Sequence, residues 1–208
     1  LIITGAVFYY LLESPASMVD MDNSRKIMVS LFGSISARTA GFNITDISVW
    51  GYPTIFLMIF LMWIGASPGS TGGGIKTTTF ALAFRTAWNY LRGRDTLIIG
   101  NREISNKTVS RVLTIIFLSL SVITTGFAIM LLSEPGKDPV KLFFECFSAF
   151  GTVGLSLADT TTFTDTGKIV DIFLMFIGRV GPLTLLTGML ASSKVRYAGY
   201  PGIDIVIN

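Results

Sequence analysis

Two short tracts hold the groups that could act on an ion: Thr39-Ala40-Gly41-Phe42 and Thr152-Val153-Gly154-Leu155. Neither contains a titratable side chain, so what they offer is backbone. Glycine admits conformations that turn neighbouring carbonyls toward one axis. A ring of such carbonyls can replace the hydration shell of a permeating cation; it takes about four loops, and this chain would supply two. The competing reading makes Gly41 and Gly154 ordinary helix caps. A third tract runs Gly65-Ala66-Ser67-Pro68-Gly69-Ser70-Thr71-Gly72-Gly73-Gly74-Ile75-Lys76-Thr77. Its glycines and proline will not sustain a helix. It reads as a break within a membrane span, with Lys76 inside the break, or as a flexible cytoplasmic linker. A phosphate-binding P-loop needs Gly followed directly by Lys; here Ile75 intervenes and no strand precedes. Arg179 lies deep in a late apolar stretch, where a charge costs about 2.5–3.5 kcal/mol on insertion scales. It must face water, a cavity or an acidic partner, unless it snorkels to an interface.

Composition decides which chemistries are open. Of 208 residues, 50% are hydrophobic and 14% charged, against about 25% charged in an ordinary soluble domain. That excess excludes disorder. With no His, a His-based metal site and a Ser-His-Asp triad are impossible. Cys146 stands alone, so no disulfide forms within the chain. No nucleophile has a convincing base, and the chain is expected to be neither an enzyme nor the holder of a cofactor. The net charge of +3 could suggest nucleic acid, but membrane residence explains so apolar a chain better, and no nucleic-acid partner is expected.

The elements that must position these tracts follow from hydropathy. Val112–Leu132 carries no charge and at about 1.5 Å per residue covers roughly 30 Å, the hydrocarbon thickness. Ile47–Ile64 is a second uncharged run. Ile169–Ser193 is a third, interrupted by Asp171, Arg179 and Pro182. Leu1–Leu12 reads as the end of a span and Phe80–Leu91 as the continuation of the second run after the break. Ile27–Ser36 and Pro139–Phe150 are too short to cross, and each runs into a Gly tract. A short helix followed by a glycine loop between two spans is a re-entrant hairpin, tolerated at membrane depth only where protein buries it or it lines a water-filled cavity.

The chain also repeats. At an offset of 113, Thr39 falls on Thr152, Gly41 on Gly154, Asp46 on Asp159, Phe60-Leu61-Met62 on Phe173-Leu174-Met175 and Ile64-Gly65 on Ile177-Gly178. The unit is span, re-entrant helix, Gly loop, span. In the second copy the last span is expected to continue as a helix and set Arg179 opposite Ala66. Arg85, Arg92, Arg94, Arg102, Lys107, Arg111, Lys194 and Arg196 outnumber Arg25, Lys26, Lys137, Lys141 and Lys168 on the other side, which places 92–108 and the tail in the cytoplasm.

The segments SARTAGFN at 36–43, GASPGSTGGGIKTTT at 65–79, FSAFGTVGLS at 147–156 and GRVGPLT at 178–184 resemble the Trk/Ktr/HKT superfamily of potassium transporters, most nearly the bacterial Trk and Ktr membrane subunits. The resemblance implies an all-α integral membrane protein built from four span–pore helix–filter loop–span units around a cation pore. The third and fourth would be present: 1–91 (pore helix about 27–36, filter loop 39–43, broken second span 47–91) and 109–193, with 92–108 a cytoplasmic loop and 194–208 a cytoplasmic tail and natural C-terminus. It implies potassium uptake across the cytoplasmic membrane. The filter would be Thr39, Ala40, Gly41, Phe42, Thr152, Val153, Gly154 and Leu155, with potassium held at Thr39, Gly41, Thr152 and Gly154. The gating loop would comprise Gly65, Ser67, Gly69, Ser70, Thr71, Gly72, Gly73, Gly74 and Lys76. Arg179 would be the pore arginine that contacts it, with carbonyls or the hydroxyls of Ser67, Ser70 and Thr71 accepting its hydrogen bonds. It further implies a homodimer in lipid, joined to a cytosolic nucleotide-binding ring subunit. Sodium-plus-potassium transport by the same fold and a non-conducting membrane scaffold are the alternatives.

Overall fold

The structure is a computed structural model that describes residues 1–93, 98–99, 102–182, 184 and 188. The expected tail, 194–208, lies outside the described residues, as does nearly all of the apolar stretch after Pro182. Among the described residues the fold is carried by α1 (Ile2–Glu13), α2 (Asn23–Ser36), α3 (Tyr52–Trp63), α4 (Thr77–Leu91), α5 (Asn106–Ser133), α6 (Pro139–Gly151) and α7 (Asp165–Val180). A ribbon of two residues per strand pairs Ile98–Ile99 with Arg102–Glu103 between α4 and α5. Among the described residues, α5 alone is long and apolar enough to cross a membrane by itself; α1 and α3 are shorter apolar helices.

Local chemistry sets the helix ends. The Asp22 carboxylate caps α2 at the Ser24 N–H and the Asp138 carboxylate caps α6 at the Val140 N–H, with Pro139 in the first turn, where its missing N–H costs nothing. The first cap starts α2 four residues earlier than hydropathy suggests, because Asn23–Lys26 are polar but well capped. Ile47–Ile64 is not one helix. A 3-10 turn, Ile47–Val49, precedes Trp50-Gly51, and α3 begins at Tyr52 with Pro53 in its first turn.

The repeat reappears as geometry. The 3-10 turn Thr160–Thr162 occupies the same register in the second copy, and the matched aspartates cap the two turns: Asp46 accepts from Ser48 N–H at 2.9 Å, Asp159 from Thr161 N–H at 3.1 Å. Each copy also ends its first helix on a buried carboxylate that staples the start of the helix after its glycine loop. Glu13 accepts from the Thr54 and Ser17 hydroxyls, and Glu134 accepts from both the N–H and the hydroxyl of Thr164, each at 2.7 Å.

The two copies differ in enclosure. Helix α6 packs against α3, α5 and α7, and every residue from Phe144 to Gly151 is buried. Helix α2 packs on α1 and leaves Ile27, Met28, Leu31, Phe32 and Ile35 exposed. The contact of α3 with α6 joins the copies and brings their glycine loops together.

Candidate cation filter and gating loop

Helices α2 and α6 end in the same unusual backbone. In the first copy Thr39 and Gly41 have φ of +69° and +72°; in the second Thr152 and Gly154 have +51° and +94°. Ala40 and Val153 between them keep negative φ. Alternating handedness turns successive peptide planes the same way, so the carbonyls line up on one side, where those of a strand alternate. A β-branched residue at positive φ is rare, and such strain concentrates at functional sites. Here it occurs twice, at matched positions.

The two loops meet. A Cβ on Gly154 would lie 3.7 Å from the Gly41 Cα, and one on Gly41 would run into the Val153 carbonyl oxygen and stand 3.2 Å from the Gly154 Cα. Side chains tie each loop back to its helix. The Ser36 hydroxyl donates to the Phe42 carbonyl, and Ser148 Oγ accepts the Gly154 N–H at 3.2 Å. Beyond the second loop, Glu145 of α6 accepts from the Ser156 hydroxyl and from Ala158 N–H at 3.1 Å. Of the expected filter residues, Val153 and Leu155 are buried, Thr39, Gly41 and Thr152 half-buried, and Ala40, Phe42 and Gly154 exposed.

The expected break is present: α3 stops at Trp63 and α4 starts at Thr77. The loop between them lies against the base of both filter loops. Gly73 N–H donates to Thr152 Oγ1 at 3.0 Å, and a Cβ on Gly72 would stand 2.9 Å from the Thr39 side chain. Arg38 donates from Nη2 to the Gly65 carbonyl at 3.0 Å, and Lys76 Nζ to the Gly72 carbonyl at 2.6 Å. Gly74 N–H reaches the Gly178 carbonyl of α7 at 3.2 Å. The expected gating residues thus divide. Gly65 and Gly72–Lys76 are fastened under the filter, whereas Gly69, Ser70 and Thr71 form an exposed tip closed by Ser70 donating to the Ser67 carbonyl.

Helix α7 continues past the register at which α3 stops, through Arg179 to Val180; Gly181 follows at φ +90°, and the chain is helical again at Pro182. One expectation needs correction: among the described residues Arg179 makes no hydrogen bond to Ser67, Ser70 or Thr71. At 3.6 residues per turn, placing the Gly178 carbonyl on the loop turns Arg179 about a quarter-turn away. It lines a cavity of about 910 Å³ beside Thr152 and Gly154 and another of about 410 Å³ below the loop. The arginine that does hold the loop is Arg38, which sequence reasoning passed over although it precedes Thr39. Ser36 and Ser148, a few residues before each filter threonine, were missed too; serine inside an apolar re-entrant helix is their signal. Asp171, one of the residues that interrupt the third apolar stretch, is buried on α7, and its Oδ1 has no partner among the described residues.

Residues 1–194 match the TrkH family, described as a cation transport protein. The chain belongs to that family of membrane transporters. TrkH-family relatives include the Ktr system potassium uptake protein B of Vibrio alginolyticus, 40% identical over 97% of this chain and 44% of that protein. The protein of the same name from Bacillus subtilis is 35% identical over 92% and 43%. The potassium/sodium uptake protein NtpJ of Enterococcus hirae is 33% identical over 96% and 45%. The chain therefore spans less than half the length of these relatives. The crystal structure of the potassium transporter TrkH from Vibrio parahaemolyticus superposes with a TM-score of 0.80 over 91% of this chain and 42% of its own, at 22% identity, which establishes the common fold.

Proposed function

We propose that this TrkH-family chain forms half of the pore of a potassium uptake protein. Potassium passes a filter made by the carbonyls of residues 39–42 and 152–155, and the loop 65–76 beneath it is the gate. The observation that carries the reading is the shared alternation of backbone handedness at Thr39/Gly41 and Thr152/Gly154, with the two loops face to face. An αL cap accounts for one residue at positive φ after each helix, and Thr152 does cap α6; it needs neither a second positive φ two residues on nor that approach. The relatives named for potassium uptake support the cargo. The units are 1–91 and 109–193, and the chain crosses the cytoplasmic membrane several times with 92–108 and 194–208 on the cytoplasmic side. Its partners are a second copy and a cytosolic nucleotide-binding ring, the naming of relatives as parts of a "system" being in keeping with a further subunit. A relative named for potassium and sodium keeps mixed selectivity as the second reading.

Permeability ratios of a Gly154→Ser variant, measured in the whole transporter, test this. A side chain at φ +94° next to Gly41 disturbs both filter loops, so potassium-over-sodium discrimination falls. An unchanged ratio would reduce Gly154 to a helix cap and sink the reading.

A further inference from the structure

Below the gating loop, the cavity of about 410 Å³ is walled by the end of the loop, α4, α5 and α7. Three cationic side chains from three different elements line it: Lys76 at the loop's end, Arg111 on α5 and Arg179 on α7. No carboxylate is among its lining residues, and among the described residues none of the three cations forms an ion pair; the one ion pair there joins Lys137 to Glu134. Helix α4 also starts at this cavity, with Thr79 in its wall, and Lys76, its N-cap, brings no capping acceptor. An uncapped N-terminus adds positive potential. Ile75, Ile115, Val180 and Pro182 give the cavity an apolar wall, with Thr184 at its edge. Convergent positive charge with no protein anion among the described residues, beside an apolar wall, is the pattern of basic inter-helix pockets that take phosphate headgroups.

We propose that this cavity binds an anionic phosphate group, carried by an anionic phospholipid or free in the cytosol. The phosphate sits between Lys76, Arg111 and Arg179 and offsets their mutual repulsion. Because Lys76 belongs to the loop and Arg179 to α7, it clasps the loop to α7 alongside the Gly74–Gly178 hydrogen bond, and its occupancy sets how readily the loop leaves the filter. This regulatory role rests on the transport reading; the binding site itself does not.

The test reads binding directly. The whole subunit, in a neutral detergent, is titrated with short-chain phosphatidylglycerol, with short-chain phosphatidylcholine and with inorganic phosphate. Adducts are followed by native mass spectrometry and phosphate binding by calorimetry. Arg111 lies outside the filter and the gate, so Arg111→Gln is the variant, with Arg111→Lys retaining the charge and Arg85→Gln as a control away from the cavity. Phosphatidylglycerol binding that Arg111→Gln weakens about fivefold, the worth of one basic residue, with Arg111→Lys and Arg85→Gln near wild type, supports the site and makes a lipid its source. The same pattern with inorganic phosphate, competing with the lipid, supports the site and makes free phosphate its source. Absence of binding by either anion, equal binding of phosphatidylcholine, or binding indifferent to Arg111→Gln overturns the proposal, and none of these results bears on whether the transporter moves potassium.

Discussion

At the scale of single residues, the two glycines proposed for the filter are not equivalent, although the repeat makes them look so. Both sit at positive φ, which costs an L residue roughly 1–2 kcal/mol. Gly41 bears a second cost, because its Cβ would meet the Val153 carbonyl, whereas a Cβ on Gly154 finds ordinary van der Waals distance. Gly41→Ala should therefore lower thermal stability and potassium flux more than Gly154→Ala, by at least about tenfold in flux, measured on matched amounts of reconstituted protein. Equal losses would mean that the loops do not meet as described. The outer staple at Glu134 makes a prediction about pH. Its desolvation against α7 would by itself raise the carboxyl, but the two Thr164 hydrogen bonds and Lys137, 3.1 Å away, outweigh that and hold it below its ordinary 4.5. A carboxylate depressed on folding stabilises the fold above its unfolded pKa, and that stability is lost as pH falls through the folded value. Melting temperature in detergent should thus fall below about pH 4.5. Glu134→Gln, which keeps an acceptor oxygen but no charge, should flatten part of that fall while lowering the plateau at neutral pH.

At the scale of elements, the loop 65–76 is a segment with little helical stability held by a few identifiable bonds. Thr152, proposed for the filter, is also the acceptor for Gly73 N–H. Thr152→Val keeps the branched shape and leaves that N–H unpaired, which costs the seated arrangement about 1–3 kcal/mol and shifts the balance toward the open one on the order of tenfold. Arg38→Ala frees the Gly65 carbonyl at the other end of the loop and should act in the same direction. Both variants should raise potassium flux, and Arg38→Ala should leave the permeability ratio unchanged, since it touches no filter carbonyl. Arg179→Ala, which in this geometry leaves the loop's bonds intact, should raise flux by removing a positive barrier and so by less in high salt. Wild-type flux in the first two variants would refute a gate in this loop. How much of this was legible in sequence follows from the kind of signal. The break was readable because glycine and proline act locally, and the paired loops with positive φ because the repeat matched Thr39 with Thr152 and Gly41 with Gly154. The partners of the loop were not readable. Arg38 to Gly65 and Gly73 to Thr152 are contacts between residues far apart in the chain, and whether Gly178 or Arg179 faces the loop depends on a quarter-turn of α7 that hydropathy does not fix.

At the scale of the whole chain, the two copies enclose one re-entrant helix and leave the other at an edge. The exposed side of α2 carries Ile27, Met28 and Phe32, α1 exposes Ile3, Val7 and Phe8, and α7 exposes Ile172, Phe173 and Phe176. Patches of this kind exceed what a soluble monomer shows and mark surfaces meant for lipid or protein. The positions differ in what can cover them. The α1 face is apolar apart from Thr4, whose hydroxyl bonds back to the Leu1 carbonyl, and it suits lipid. The α7 face is continuous with the large cavity that contains Asp171, Lys168 and Arg179 as well as the filter residues Thr152 and Gly154, and lipid tails cannot solvate those charges. That side therefore requires protein or water, as the wall of a pore completed by further filter loops would. Two loops cannot surround an ion, so a dehydrated cation between Gly41 and Gly154 would be coordinated on one side only. These 208 residues, reconstituted alone, should conduct no potassium above empty vesicles. Co-expression with a chain supplying two further Thr-x-Gly loop units should restore flux. It should also protect a cysteine placed at Ile172 or Met175 on α7 from a water-soluble thiol reagent, while one placed at Val7 on α1 stays as reactive as in the lone chain. Selective flux from the lone chain, or equal reactivity at Ile172 and Met175 with and without the added units, would show that the filter loops of these two copies do not form half of a larger ring.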